Sequence, residues 1–215
     1  AGNQICNLGK SLWIRVLQQL GHDIKFPEKE EEGAKNYYPG EYLIKIADDY
    51  LKENKNKAEN LFKFNPDPYK PSDEVIKEMS DYAKTILLQE QKDLLKKFRV
   101  NFDYWYSESS LHKEGKVEAA IKKLEMQQEI YENEGAVWFK SSKYGDDQDR
   151  VIIKSDGSYT YLTADIAYHY DKLQRGYERI INIWGADHHG YVPRMKAAIQ
   201  ALGYNSDCLE VILGQ

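Results

Sequence analysis

Residues 179–213 have the sequence RIINIWGADHHGYVPRMKAAIQALGYNSDCLEVIL. Short apolar runs at 179–184 and 209–213 are flanked by turn residues, and this pattern predicts two strands. Residues 191–202, between the two runs, have helical periodicity and end before Gly203, a residue typical of helix termini. A strand, a helix and a second strand in this order predict parallel pairing with a right-handed crossover.

The sequence just upstream extends this pattern. Residues 155–158 (SDGS) predict a hairpin turn leading into a strand over 159–162. Thr163 is then expected to cap a helix over 164–176. Alternating strands and helices predict that residues 155–213 form half of a doubly wound α/β fold of the nucleotide-binding type.

The first hundred residues are predicted to be mainly helical. Helical spacing indicates one helix over 7–21, and a second that starts at Glu41 and fades out in the Lys/Asn-rich 52–60. A third, long helix is expected after a proline-containing linker, with Ser72 as its N-cap. Its predicted apolar stripe consists of Val75, Met79, Tyr82, Ile86, Leu87, Leu94 and Phe98.

Between these regions the periodicity changes. The alternation at 102–106 predicts a strand, residues near 115–132 predict a helix, and 136–140 and 150–154 predict short strands. The acidic run at 28–32 is expected to be an exposed, solvated loop.

Composition limits the class of protein. The chain has 215 residues, 41% of them hydrophobic and 30% charged, which excludes a disordered tail. Apolar runs are far shorter than the roughly 20 residues of a membrane span, so no membrane association is expected. The net charge of −5 argues against a general nucleic-acid coat protein. Cys6 and Cys208 have neither zinc spacing nor a disulfide framework, and we expect a reducing cytoplasm.

Tyr161 and Asp165 lie where a predicted strand leads into a helix, at the edge where ligands collect in such folds. Asp165 is expected in the first helical turn, where the helix dipole favours an ionised carboxylate. An ionised, partly buried acid beside a tyrosine is suited to holding a cationic group. The spacing alone leaves open an alternative in which Asp165 only helps the helix to start.

A second candidate segment, 183–191, also leaves a strand for a helix. Gly185 would let a flat ligand approach, Asp187 could accept hydrogen bonds from ribose, and His188 could donate to a phosphate. The alternative is that Asp187 is an N-cap and the two histidines are ordinary turn residues. Adjacent His188 and His189 lack ligand spacing, and the acidic loop 146–149 lacks the closing Glu of a calcium loop. We therefore expect no metal bound by the protein itself.

Four segments in order carry a resemblance: GNQI at 2–5, FDYWYSE at 102–108, KSDGSYTY at 154–161 and WGADHHGY at 184–191. Together they resemble bacterial arginyl-tRNA synthetases, members of class I. The resemblance implies an α/β, Rossmann-like catalytic core, a partial parallel sheet with flanking helices, interrupted by a mainly helical insertion. The signature motifs HIGH and KMSKS are absent, and the family's order would place them just before residue 2 and just after residue 215.

The resemblance also implies a division of the chain. Residues 1–24 would be the remainder of the first Rossmann half, and 25–100 a mainly helical connective insertion. Residues 101–215 would be the second half, with a small β-containing insertion at about 133–158. The chain would then be an internal piece of the catalytic domain, without the tRNA-elbow and anticodon-binding domains, and inactive alone.

The implied reaction is ATP-dependent activation of L-arginine to arginyl-adenylate, followed by transfer to tRNA-Arg. ATP would bring Mg²⁺ with it, the tRNA would bind mainly through other domains, and the enzyme would be a cytoplasmic monomer. By matching position, the arginine-binding residues would be Tyr161, Asp165 and His188. The ATP-binding residues would be Gly185, Asp187 and Gln215. Glu108 could face the same crevice.

Two alternatives remain at this stage. Asp187-His188-His189 also resembles the signature of the manganese-dependent DHH phosphoesterases. The other alternative is a fragment that only binds adenosine or tRNA, without catalysis.

Overall fold

The computed structural model describes residues 2–28 and 33–214. It divides into two compact units, Ala1–Asp103 and Tyr104–Gln215, which we call the amino-terminal and carboxy-terminal units. Most of the predicted acidic loop, residues 29–32, lies outside the described residues. No described helix is both long enough and apolar enough to cross a membrane.

Three helices make up the amino-terminal unit: α1 (Asn3–Gln19), α2 (Tyr42–Phe64) and α3 (Asp73–Lys97). Helix α1 packs against both of the others, and its Leu12, Trp13 and Leu17 are fully buried. Ser72 caps α3 as predicted, since its Oγ accepts a hydrogen bond from the Val75 N–H at 3.4 Å.

Two details of the helical prediction are wrong. Helix α2 does not fade out at 52–60 but continues to Phe64, with non-helical backbone only at Asn54. The Asn54 side chain donates to the Tyr50 carbonyl at 3.1 Å, which satisfies a backbone acceptor beside the kink. The apolar stripe of α3 is buried only in its first half, because Leu94 and Phe98 are 54% and 72% exposed.

Helices α1 and α3 approach closely at Gly9. A Cβ atom built there would lie 2.3 Å from Ser80 Oγ and 2.7 Å from the Ile76 carbonyl oxygen. Ser80 Oγ donates across the same contact to the Ile5 carbonyl at 3.0 Å. The contact therefore requires a residue without a side chain.

The carboxy-terminal unit contains nine α-helices and β-strands within the described residues. They are α4 (Glu108–Lys113), α5 (Lys116–Met126), β1 (Ile130–Asn133), β2 (Ala136–Phe139), β3 (Arg150–Ile153), α6 (Tyr161–Gln174), β4 (Ile180–Gly185), α7 (Val192–Ala201) and β5 (Leu209–Gly214). Strands β1, β2 and β3 form an antiparallel sheet in that order. Strands β4 and β5 pair in parallel, from Ile180 opposite Leu209 to Gly185 opposite Gly214. The predicted α/β class with a parallel sheet and flanking helices is confirmed.

Several predictions in this unit are wrong. Residues 102–106 are not a strand, and Tyr106 instead stacks on Tyr168 of α6, with ring centroids 4.4 Å apart. The helix expected over 115–132 ends at Met126, and the chain continues into β1 from Ile130.

The predicted strand at 159–162 is reduced to one bridge, between Tyr159 and Ile153, and helix α6 already begins at Tyr161. Thr160, not Thr163, occupies the N-cap position, and the Thr160 N–H donates to the Ile152 carbonyl at 3.1 Å. Asp165 therefore lies in the second helical turn, beyond the first turn predicted for it.

We expect Gly9→Ala to destabilise the amino-terminal unit by about 1–3 kcal/mol, because the added methyl group overpacks the contact between α1 and α3. Thermal and urea unfolding would measure the loss. Gly190→Ala is the control, since a Cβ there meets nothing within 4 Å. Equal stabilities of Gly9→Ala and wild type would contradict the close approach.

Candidate functional site

Two neighbouring cavities in the carboxy-terminal unit share the start of α6 as a wall. The smaller, which we call the aromatic cavity, has a volume of about 330 Å³. It is lined by Tyr106, Glu108, Leu111, Tyr161, Ala164, Asp165 and Tyr168. The larger, which we call the wide cavity, has a volume of about 600 Å³. It is lined by Tyr161, Asp165, Tyr168, His169, Lys172, Asn182, Ile183, Trp184, Gly185, His188 and Tyr191.

Helical geometry explains why α6 supplies so much of both walls. Tyr161, Asp165, Tyr168 and Lys172 are spaced by four, three and four residues, so they share one face of the helix. Tyr161, the first residue of α6, is 88% exposed, whereas Asp165 is partly buried one turn later. Along this face, the exposed Tyr161 ring is followed by the more buried Asp165 carboxylate.

The Asp165 carboxylate accepts a hydrogen bond from the Tyr191 hydroxyl, with 2.8 Å between Tyr191 Oη and Asp165 Oδ2. Burial raises the pKa of the Asp165 carboxyl, and the nearby negative charge of Glu108 acts in the same direction. The bond from Tyr191 and the positive charge of Lys172 oppose this rise. No other donor within residues 2–28 and 33–214 bonds to this carboxylate, so Oδ1 is available to a ligand.

A buried polar network lies directly behind Asp165. His169 Nδ1 is 2.8 Å from the Asp165 carbonyl oxygen, and His169 Nε2 is 2.7 Å from the Asn182 amide nitrogen. A neutral imidazole satisfies both partners if Nδ1–H donates and Nε2 accepts. Burial lowers the pKa of His169 to about 4, in agreement with the neutral form. His169 therefore links α6 to β4 without carrying charge at neutral pH.

Lys172 extends this network to the wide cavity. Its ammonium donates to Asn182 Oδ1 at 3.2 Å and lies 4.2 Å from the centre of the Tyr168 ring. Burial lowers the pKa of Lys172. The wall of the wide cavity thus combines the carboxyl group of Asp165 with the ammonium group of Lys172.

The edge after β4 holds the other predicted residues. Gly185 and His188 line the wide cavity, but Asp187 lines a third cavity of about 590 Å³ together with His188. A Cβ at Gly185 would lie 2.5 Å from Asp187 Oδ1, so a side chain there would displace this carboxylate. The alternative of Asp187 as N-cap is wrong, because a short 3-10 helix, Ala186–Tyr191, follows Gly185, and Tyr191 is the N-cap residue of α7.

The structure thus brings Tyr161, Asp165, Gly185 and His188 together around one cavity, with Glu108 on the adjoining one. Gln215 lies outside the described residues. In the part of the chain that the structure describes, no three His, Cys, Asp or Glu side chains cluster as metal ligands. In the acidic loop, Asp146 forms two hydrogen bonds with Arg150, at 2.8 and 2.9 Å.

Sequence reasoning did not assign Tyr168, His169, Lys172 or Asn182 to the site. The signal was present in α6: a helix that starts at Tyr161 puts three of these residues on or beside the face of Asp165. The predicted helix over 164–176 already contains this spacing, but the residue types alone do not single out these positions. Nothing in the sequence marks Asn182, because the role of an amide in an apolar strand is clear only once its hydrogen-bond partners are known.

Comparisons with known proteins bear directly on this architecture. The family model described as tRNA synthetases class I (R), catalytic domain, matches residues 14–213. The chain belongs to this family. The resemblance stated from the four sequence segments is therefore confirmed, and the comparisons give no support to a DHH phosphoesterase.

Relatives of this synthetase chain are similar over almost its whole length. An arginine–tRNA ligase of Bacillus cereus is 50% identical over 213 residues, and arginine–tRNA ligase 1 of Halalkalibacterium halodurans is 48% identical over 211 residues. Each match covers 98% of this chain and 35% of the relative. The chain thus spans about a third of the length of the curated relatives it matches.

Solved structures agree with the class I synthetase fold. A crystal structure assigned as an arginyl-tRNA synthetase from Campylobacter jejuni has a TM-score of 0.83 and 41% identity, covering 100% of this chain and 43% of that one. Thermus thermophilus arginyl-tRNA synthetase has a TM-score of 0.60 at 17% identity, covering 95% of this chain and 39% of that one, which supports the fold alone.

We expect the carboxy-terminal unit to lose stability on acidification because of His169. Its pKa falls from 6.5 to about 4 on folding, so the folded state binds fewer protons than the unfolded chain between these values. The penalty is absent above about pH 6.5, grows as the pH falls and is complete below about pH 4.

The variant His169→Asn should flatten this dependence by on the order of 1 kcal/mol per pH unit, measured by urea unfolding between pH 4.5 and 7.5. His112→Asn, at an exposed histidine, is the matched control. An unchanged slope in His169→Asn would contradict the neutral, buried assignment.

Proposed function

We propose that this chain supplies the arginine-recognising part of an arginine–tRNA ligase, which activates L-arginine with ATP and transfers the arginyl group to tRNA-Arg. The observation that carries the proposal is the partly buried Asp165 carboxylate, held by Tyr191 on one oxygen and open to a ligand on the other. A cationic side chain is the partner that such a carboxylate favours.

The shape of the aromatic cavity supports a guanidinium over a simple ammonium group. Tyr106 and Tyr168 stack with an interplanar angle of 29°, and Leu111 adds an apolar wall for an aliphatic stem. A planar guanidinium can stack on aromatic rings and donate to carboxylates in a fork, whereas an ammonium group is a compact point charge. Asp165 and Glu108 line this cavity together and would accept from the guanidinium.

Tyr161 and His188 have supporting roles in this proposal. Tyr161 lines both cavities at the exposed rim, where its ring can cover the bound side chain. His188 lies farther along the wide cavity, on the side of Gly185, where it can contact the backbone end of arginine or a phosphate. Arginine would thus extend from the aromatic cavity towards the end of β4.

ATP would then approach at the end of β4. Gly185 presents backbone without a side chain of its own, and the exposed Asp187 beside it can accept hydrogen bonds from ribose hydroxyls. Gln215 would contact the adenine, with Mg²⁺ arriving on the nucleotide. Such a reaction needs no nucleophile from the protein, since positioning and electrostatic stabilisation of the transferring phosphate are sufficient.

The division of the chain follows the same proposal. Residues 1–24 and 101–215 would belong to the two Rossmann halves, with 25–100 as the helical insertion. The tRNA would be bound mainly by parts of the enzyme outside this chain. A monomeric state and a cytoplasmic location are further parts of the proposal.

Calorimetry of the chain with L-arginine, L-lysine and L-citrulline tests the recognition step. Arginine should bind more tightly than lysine, whose ammonium group cannot match the fork, and more tightly than citrulline, which has the shape without the charge. Asp165→Asn should reduce arginine affinity by at least tenfold, because a charge-assisted hydrogen bond contributes about 1.5–3 kcal/mol. Asp207→Asn, at an exposed carboxylate elsewhere in the unit, is the control.

Equal affinity for arginine and lysine would refute the assignment of Asp165. Thermal unfolding of Asp165→Asn shows whether a loss of binding comes from the site or from a loss of folding.

A further inference from the structure

We propose that Tyr191 is the positioning residue for Asp165: its hydroxyl holds one carboxylate oxygen and leaves the other to accept from the cationic ligand. This inference rests on the proposed arginine recognition and adds a residue to it. Tyr191 is not among the arginine- or ATP-binding residues that the resemblance implies. The resemblance therefore assigns no role to Tyr191.

The contact is a hydrogen bond of ordinary length between two side chains. Tyr191 Oη lies 2.8 Å from Asp165 Oδ2, and a phenol donates to a carboxylate without adding a positive charge beside the ligand. Burial and the Asp165 charge both raise the pKa of Tyr191, so its hydroxyl keeps the proton it donates. A protonated histidine at the same position would instead compete with a cationic ligand for Asp165.

The Tyr191 ring is held from two directions. The Trp184 ring of β4 meets it edge-on with centroids 5.8 Å apart, and the Arg194 guanidinium of α7 lies 4.8 Å from its centre. Arg194 Nε is in turn 3.5 Å from Asp146 Oδ2, and Asp146 also pairs with Arg150. The hydroxyl is therefore presented to Asp165 by a ring with little freedom to turn away.

Charged groups face Asp165 from each neighbouring element. Glu108 from α4 favours the protonated carboxyl, whereas Lys172 from α6 and His188 from the segment after β4 favour the ionised form. His169 contributes a neutral ring and Asn182 of β4 a neutral amide. The hydrogen bond from Tyr191 favours the ionised carboxylate and so opposes the rise in the Asp165 pKa that burial and Glu108 cause.

The test is a pH titration of the Asp165 side-chain carboxyl carbon by NMR in the 215-residue chain. Tyr191→Phe removes one oxygen atom and retains the ring, so we expect the Asp165 pKa to rise by about one unit. Tyr144→Phe is the matched control, because the Tyr144 hydroxyl donates to the Glu129 carboxylate at 2.7 Å in the same unit. That variant should raise the pKa of Glu129 and leave that of Asp165 unchanged.

A second readout is arginine affinity as a function of pH. In Tyr191→Phe, the midpoint at which binding is lost on acidification should move upward by the same amount as the Asp165 pKa. An Asp165 pKa equal in Tyr191→Phe and wild type would overturn the proposal. Failure of the wild-type chain to bind arginine would count against the proposed function alone, since the carboxyl titration decides the role of Tyr191 without any ligand.

Discussion

The parallel pairing of β4 with β5 is the constraint on which the candidate site depends. Two parallel strands cannot be joined by a tight turn, so the chain leaves β4 at its carboxyl end and crosses back through α7 to start β5 beside the amino end of β4. The segment after β4 therefore starts at the carboxyl end of the pair, where it carries Gly185, Asp187, His188 and Tyr191. The side chains that face α6 are placed by this topology and not by any property of the loop alone.

The second requirement is that α6 lies against β4 in one register. Strand β4 alternates buried and exposed residues, and the buried position at its centre is Asn182. A buried amide without partners would be destabilising, but here its nitrogen donates to His169 and its oxygen accepts from Lys172. Moving α6 by one residue along β4 would break both hydrogen bonds. The bonds of Asn182 therefore fix how α6 and β4 align.

The elements that could be predicted from the sequence are those whose signals are local. Apolar runs gave β4 and β5, and Gly203 marked the end of α7. The SDGS turn also forms, with the Lys154 N–H donating to the Ser158 carbonyl at 2.9 Å. The residue type of Asp165 and the nearby Tyr161 were likewise enough to suggest that Asp165 holds a cationic group, and this role stays a prediction.

The failures share a different cause, which is a partner distant in sequence. The start of α6 depends on a bond from the Thr160 N–H to the Ile152 carbonyl of β3, whereas the local sequence offers both Thr160 and Thr163 as caps. The aromatic run at 102–106 has the alternation of a strand, but Tyr106 packs on α6. The bond between Asp165 and Tyr191 joins residues 26 positions apart, on two elements that meet only after folding.

The threonines at the start of α6 have a consequence for how this region can vary. Thr160 Oγ1 donates to the Val151 carbonyl, and Thr163 Oγ1 donates to the Ile152 carbonyl, so both side chains fasten the helix to β3. The antiparallel sheet thus fixes where α6 begins, and with it the positions of Tyr161 and Asp165 relative to the parallel strands. Residues added to the exposed turn at 155–158 would lengthen that turn without moving α6. One residue added between Thr160 and Asp165 would instead rotate the Asp165 carboxylate about the helix axis by about 100°. Tolerance to length changes should differ sharply between these two neighbouring stretches.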